Sequence, residues 1–218
     1  MLRIELDALY DDILVSRRLL AHPFYRRWEA GTLDPSELAS YAAQYRHFEA
    51  ALPVVLERIV DGLPDGPARG LVQANLDDER GVPMPHLELF DSFAQAVDAP
   101  VSEPGPAVAG LVELYLSLAE TSPVAALAAV AAYEVQAPAI AASKAEGLVA
   151  RYGLDGSGTR FWDVHAGIDE AHGSALLDAL ALVADSPEQV IDPARAGADA
   201  WWSFLDERES AAPVPTAC

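Results

Sequence analysis

Apolar residues recur every three or four positions along most of this chain, and few stretches alternate with period two, which predicts helices throughout. The first helical run extends from Ile4 to about Leu20 and breaks at His22-Pro23. A short aromatic piece, Phe24-Tyr25-Arg26-Arg27-Trp28, ends near Gly31. Asp34-Pro35-Ser36-Glu37 supplies an N-cap, a first-turn proline and a capping-box glutamate, and the helix it opens should reach Asp61 with a bend at Pro53. After the loop 62–66, a long helix from about Pro67 to Val97 is interrupted over Gly81-Val82-Pro83-Met84-Pro85. A second loop, 99–106, precedes helices over about 107–119, 123–151, 159–184 and 187–208. Ser122-Pro123 and Ser186-Pro187 repeat the cap-then-proline start. The pattern predicts an all-α fold, one domain of about seven helices over 1–209, and a disordered tail over 210–218.

The run from Pro123 to Ala142 is long enough to cross a bilayer. Glu134 in its middle, Pro138 after it and more Ala than Leu predict instead the buried central helix of a bundle. With 14 basic and 34 acidic residues the net charge is −20, which argues against a nucleic-acid partner or an anionic membrane surface. Cys218 is the only cysteine, so no internal disulfide can form, and the start shows no secretory signal. A cytoplasmic protein is expected.

Within the last long helices lies His165-Ala-Gly-Ile-Asp169-Glu-Ala-His172. Residues at i, i+4 and i+7 fall within roughly 60° on a helix, so two imidazoles and a carboxylate share one stripe with Phe161, Ile168 and Leu176. Such a stripe is either a ligand set for iron, manganese or zinc or a solvated face with incidental histidines. Glu134 is the only acid in the apolar run, and it must protonate, pair with a buried Arg or bind a metal. Glu79 and His86 sit seven apart across the proline-rich interruption, where a kink could bring them to one centre. Three carboxylates and three imidazoles on three helices make the inventory of a helical dinuclear site, although the Glu-x-x-His pairs of ferritin-type proteins are absent.

These segments resemble the heme-oxygenase-like diiron oxidases, and within them the group around the Chlamydia protein associating with death domains, linked to folate biosynthesis as para-aminobenzoate synthases. The likeness runs through His22-Pro23-Phe24-Tyr25 to Leu33, Tyr41-Ala-Ala-Gln-Tyr45, the Glu79/His86 segment, Tyr133-Glu134 through Lys144, and Phe161-Trp162 to His165 and beyond. It implies a TenA/PqqC-like fold and metal ligands Glu79, His86, Glu134, His165, Asp169 and His172. It also implies two iron ions, or one manganese and one iron, acting with O2 and an external reductant. In that group a tyrosine of the chain is consumed to make para-aminobenzoate and a lysine gives the nitrogen; here these would be Tyr25 and Lys144. Tyr133 and Tyr45 would be relay tyrosines. The family usually carries a tyrosine where this chain has Phe161, with Trp162 beside it, so a role for a tyrosine there is absent or replaced.

Lys144 is the only lysine, all thirteen other cations being arginine, and an amine, unlike a guanidinium, can lose its proton when desolvated. The competing residue readings are a leftover surface lysine and, for Tyr25, an aromatic core position. His22 and His47 are expected to be structural, Asp78 and Glu88 solvated, and Asp163 or Glu170 able to support the ligands. The alternative functions are an oxidase of the same superfamily acting on an external amine, amino acid or fatty acid, and a non-catalytic binding protein. A thiaminase-like hydrolase lacks its pocket cysteine, and a heme face poorly suits converging carboxylates. A homodimer is allowed.

Overall fold

The computed structural model describes residues 1–81 and 84–211, and residues 168–170 by their backbone alone. Among them are ten α-helices, two short 3-10 turns and no strand. The expected tail over 210–218 falls mostly on 212–218, outside the described residues. Helix α1 (Arg3–Leu14) stops short of the expected Leu20. Leu19 instead begins a 3-10 turn, its N–H donating to the Gln136 side chain at 2.9 Å, a tertiary partner that replaces the helical one. His22 caps α2 (Pro23–Ala30), its Nδ1 accepting from the Phe24 N–H, and Gly31 closes the helix in the left-handed region at φ 69°.

Helix α3 (Pro35–Gly62) opens with the expected capping box and runs through Pro53 without ending. The interrupted helix over 67–97 is two helices, α4 (Pro67–Glu79) and α5 (His86–Ala96). Helix α6 (Pro106–Thr121) leads into the apolar run, which is also divided. Helix α7 (Pro123–Glu134) ends at Val135, and α8 (Ala137–Tyr152) restarts with Pro138 in its first turn, where the missing N–H costs nothing. The expected single helix over 123–151 is therefore corrected to two helices divided at Val135-Gln136. Two long helices, α9 (Arg160–Val183) and α10 (Glu188–Ser210), complete the bundle.

Helix α7 is the centre: it packs against α3, α6, α9 and α10, and every residue from Ala125 to Glu134 is buried. By length and composition 123–152 would pass as a membrane span, yet two-thirds of its apolar window (67 %) is buried inside the bundle. Close approach of the neighbouring helices depends on two glycines. A Cβ on Gly173 of α9 would lie 2.8 Å from the Glu134 carbonyl oxygen, and one on Gly197 of α10 would lie 2.5 Å from that of Ala129. Backbone is thereby pressed against backbone on both sides of α7, and the end of that helix carrying Glu134 is held in place.

Candidate metal centre and aromatic pocket

Four buried side chains from four helices converge: Glu49 (α3), Glu79 (α4), His86 (α5) and His165 (α9), with one oxygen or nitrogen of each within 4.8 Å of the others. Glu49 was not among the sequence candidates. A signal for it existed: on α3 it falls within the buried stripe Tyr41, Tyr45, Phe48, Leu52 and Leu56, where an acid is costly without a partner.

Glu79 ends α4 and His86 begins α5, so the Gly-Pro interruption folds them face to face with His86 Nδ1 3.1 Å from Glu79 Oε2. Burial pushes the Glu79 carboxyl up, but the hydrogen bond to His86 and the charges of His86, His165 and His172 outweigh it and hold Glu79 below the ordinary range. His165 is lowered to about 4, chiefly by burial, against the opposing pull of Glu79. Its Nδ1 lies 2.8 Å from the Phe161 carbonyl oxygen, which can only accept, so Nδ1 carries the proton and Nε2 is left as a ligand atom. The His86 and His165 rings are 4.5 Å apart.

Glu134 is buried and lines the same central cavity as Glu49, Glu79 and His165. His172 is buried as well, with its Nε2 3.0 Å from Asp78 Oδ2; a carboxylate behind a histidine is the usual support of a metal ligand. Asp169 lies on the α9 backbone, but its side chain and that of Glu170 are outside the described residues. Asp163 accepts from the Thr159 hydroxyl rather than supporting a histidine, and His47 contacts the Ser102 carbonyl oxygen.

The donor set fits a metal. Two carboxylates buried side by side are costly to hold without a cation, and a divalent ion would offset both charges. Ligands on opposite sides of one ion at about 2.1 Å lie about 4.2 Å apart, close to the spread of the four atoms.

Next to the cavity is an aromatic pocket built around Lys144. Its side chain is fully buried, with Nζ 4.0 Å from the ring centre of Trp162, 4.6 Å from Tyr25, 4.7 Å from Tyr41, 5.1 Å from Tyr45 and 5.7 Å from Trp28. Nζ is hydrogen-bonded to the Tyr41 hydroxyl, which lies 3.0 Å from the Tyr25 hydroxyl. Desolvation drives the amine well below its ordinary pKa, opposed only by the charge of Glu49. Burial likewise raises the phenols of Tyr25, Tyr41 and Tyr45. Tyr45 and Tyr133 are joined at 2.7 Å, and the Phe161 ring lies 3.9 Å from the His165 ring, tilted by 35°. Tyr41, absent from the sequence candidates, is the link between Tyr25 and Lys144.

A buried bundle carrying a histidine–carboxylate cluster is the mark of a class, and the sequence confirms it: residues 39–202 match the family of iron-containing redox enzymes, to which this chain belongs. Among its relatives, a 4-aminobenzoate synthase of Nitrosomonas europaea is 35 % identical over 90 % of this chain and 87 % of that protein. One from Chlamydia muridarum is 30 % identical over 92 % of this chain and 88 % of that protein. In fold the chain resembles a TenA homologue from Pseudomonas syringae, with a TM-score of 0.80 at 16 % identity over 94 % of this chain and 92 % of that one. It also resembles a CADD-like protein from Nostoc punctiforme, with a TM-score of 0.74 at 20 % identity over 96 % of this chain and 99 % of the other. The fold is heme-oxygenase-like.

Proposed function

We propose that the protein is a 4-aminobenzoate synthase that makes its product from Tyr25 and takes the nitrogen from Lys144. Glu49, Glu79, His86 and His165, with Glu134, Asp169 and His172, would hold two metal ions, Fe/Fe or Mn/Fe. The bound centre supplies oxidising power from O2 and an external reductant. The chain acts in the cytoplasm, with no nucleic-acid or membrane partner.

The observation that carries this reading is Lys144. The one lysine of the chain is placed in the core, among rings and away from solvent, with its amine against the face of Tyr25. No carboxylate among the described residues is hydrogen-bonded to it, and desolvation favours the uncharged amine, the form whose lone pair can bond to carbon. The Tyr41 hydroxyl joins Tyr25 Oη to Lys144 Nζ, giving a proton leaving the phenol a path to the amine. Trp28, Tyr45 and Trp162 complete the wall and exclude water. Four relatives named 4-aminobenzoate synthase, each aligned over at least 90 % of this chain, support the same assignment.

The test is aerobic incubation of protein loaded with iron, or with manganese and iron, in the presence of a reductant. The expected result is 4-aminobenzoate without added substrate, with a matching mass loss in the peptide containing Tyr25. Undiminished 4-aminobenzoate from Tyr25→Phe and Lys144→Arg proteins would overturn the reading in favour of an oxidase acting on an external amine, amino acid or fatty acid.

A further inference from the structure

The molecule contains three tryptophans that are at least 99 % buried, and two of them place their indole N–H on an oxygen. Trp28 Nε1 donates to the Lys144 carbonyl at 3.4 Å and Trp201 Nε1 to the Tyr115 hydroxyl at 3.0 Å. Trp162 differs: its Nε1 is buried and has no hydrogen-bond partner among the described residues. A buried donor left without an acceptor is unfavourable, and native interiors seldom tolerate one unless a ligand or water completes it.

The surroundings of Trp162 indicate where its acceptor belongs. Lys144 Nζ covers the ring face at 4.0 Å, and Phe161 and Phe93 meet the ring nearly at right angles, at 4.7 and 5.3 Å. The residue also lines the central cavity together with Glu49, Glu79, Glu134 and His165. That cavity has a volume of about 10 Å³, the size of a single water. Its walls bring carboxylates, an imidazole and the mutually bonded Tyr45 and Tyr133 phenols, and the Trp162 N–H is the donor there that has no acceptor among the described residues.

We infer that the Trp162 indole N–H is a ligand-binding group of the metal centre, donating to a small oxygen- or nitrogen-donor ligand held in the central cavity. The ligand class is water or hydroxide, with azide as a probe whose terminal nitrogen would take the same position and accept from Nε1 when a cation is held by Glu49, Glu79, His86 and His165. The same indole then touches the cavity ligand with its edge and the Lys144 amine with its face. The inference rests on the cluster holding metal and not on the identity of the product.

Two measurements test it. First, iron content is determined for wild-type and Trp162→Phe proteins, so that failure of the cluster to load, which ends the metal reading itself, is recognised separately. Azide is then titrated into both iron(III)-loaded proteins and followed by its charge-transfer absorption. The variant is expected to bind azide about three- to tenfold more weakly at equal iron content, the loss of one hydrogen bond. Second, the wild-type protein labelled with 15N-tryptophan gives four indole signals, one for each tryptophan. On loading with zinc, and again on adding azide, the Trp162 signal should move downfield by more than those of Trp28, Trp201 and Trp202. Equal azide affinity in the two proteins, or a Trp162 signal moving no more than the others, shows that the N–H is spent on a neighbouring ring face and overturns the inference. If the variant does not fold, the wild-type indole signal decides alone.

Discussion

Glu79 Oε2 and His86 Nδ1 are 3.1 Å apart although six residues separate them, because α4 ends on one and α5 begins on the other. In a continuous helix they would stand about 10 Å apart along the axis. The interruption therefore builds half of the cluster, and Glu49 and His165 complete it from α3 and α9.

Glu49 is the candidate ligand whose loss is most informative, since its place in the cluster is visible only in the tertiary structure. Glu49→Ala is expected to lower iron affinity by at least about tenfold while leaving the helical content unchanged. Elemental analysis after desalting, with circular dichroism, checks both; full metal content in the variant would remove Glu49 from the site.

Lys144→Met should abolish 4-aminobenzoate formation without lowering Tm, because a thioether of similar length fills the ring-lined space at no desolvation cost. The pH dependence follows from the lowered amine pKa. Between that value and the unfolded one near 10.5 the unfolded chain binds more protons than the folded, so wild-type stability rises with pH and is fully relieved above 10.5. Denaturant titrations from pH 7 to 10.5 should show wild type gaining on Lys144→Met, with a limiting slope of about 1.4 kcal/mol per pH unit. A constant difference would mean the amine is charged in the core.

Tyr41→Phe cuts the hydrogen-bond chain from Tyr25 to Lys144 while preserving the ring that packs on Phe24 and Trp28. Product yield should fall by at least about tenfold, in the range of a lost proton-transfer group, with metal content unchanged. A yield equal to wild type would reduce Tyr41 to packing.

Gly173→Ala and Gly197→Ala each set a methyl against a carbonyl oxygen of α7, at 2.8 and 2.5 Å. Both should destabilise the protein by about 1–3 kcal/mol. Only Gly173→Ala, which presses on the backbone of Glu134, should also reduce metal content. Parallel thermal melts and metal analysis of the pair separate the two effects.

Much of the bundle could be read from local chemistry. The Asp34–Glu37 capping box, the caps at His22 and Ser122 and the break between Glu79 and His86 all act within a few residues, so they are visible in the chain order. The break at Val135-Gln136 was harder to see, because Pro138 alone does not show whether a helix bends or restarts; here Gln136 also bonds Ala132 O and the Leu19 N–H. Glu49 escaped because an acid in one apolar stripe has no near neighbour of matching chemistry along the chain. Its partners arrive from helices α4, α5 and α9.

By itself, the amino-acid sequence determined the all-helical class, the central apolar run with its single acid, and the histidine–carboxylate inventory, since periodicity, capping and composition are local properties. Only the tertiary structure decided that Glu49 joins the cluster, that Tyr41 bridges Tyr25 and Lys144, and that Trp162 stands between amine and cavity. Those are relations between helices distant in the chain, and packing around α7 brings them within a few ångströms.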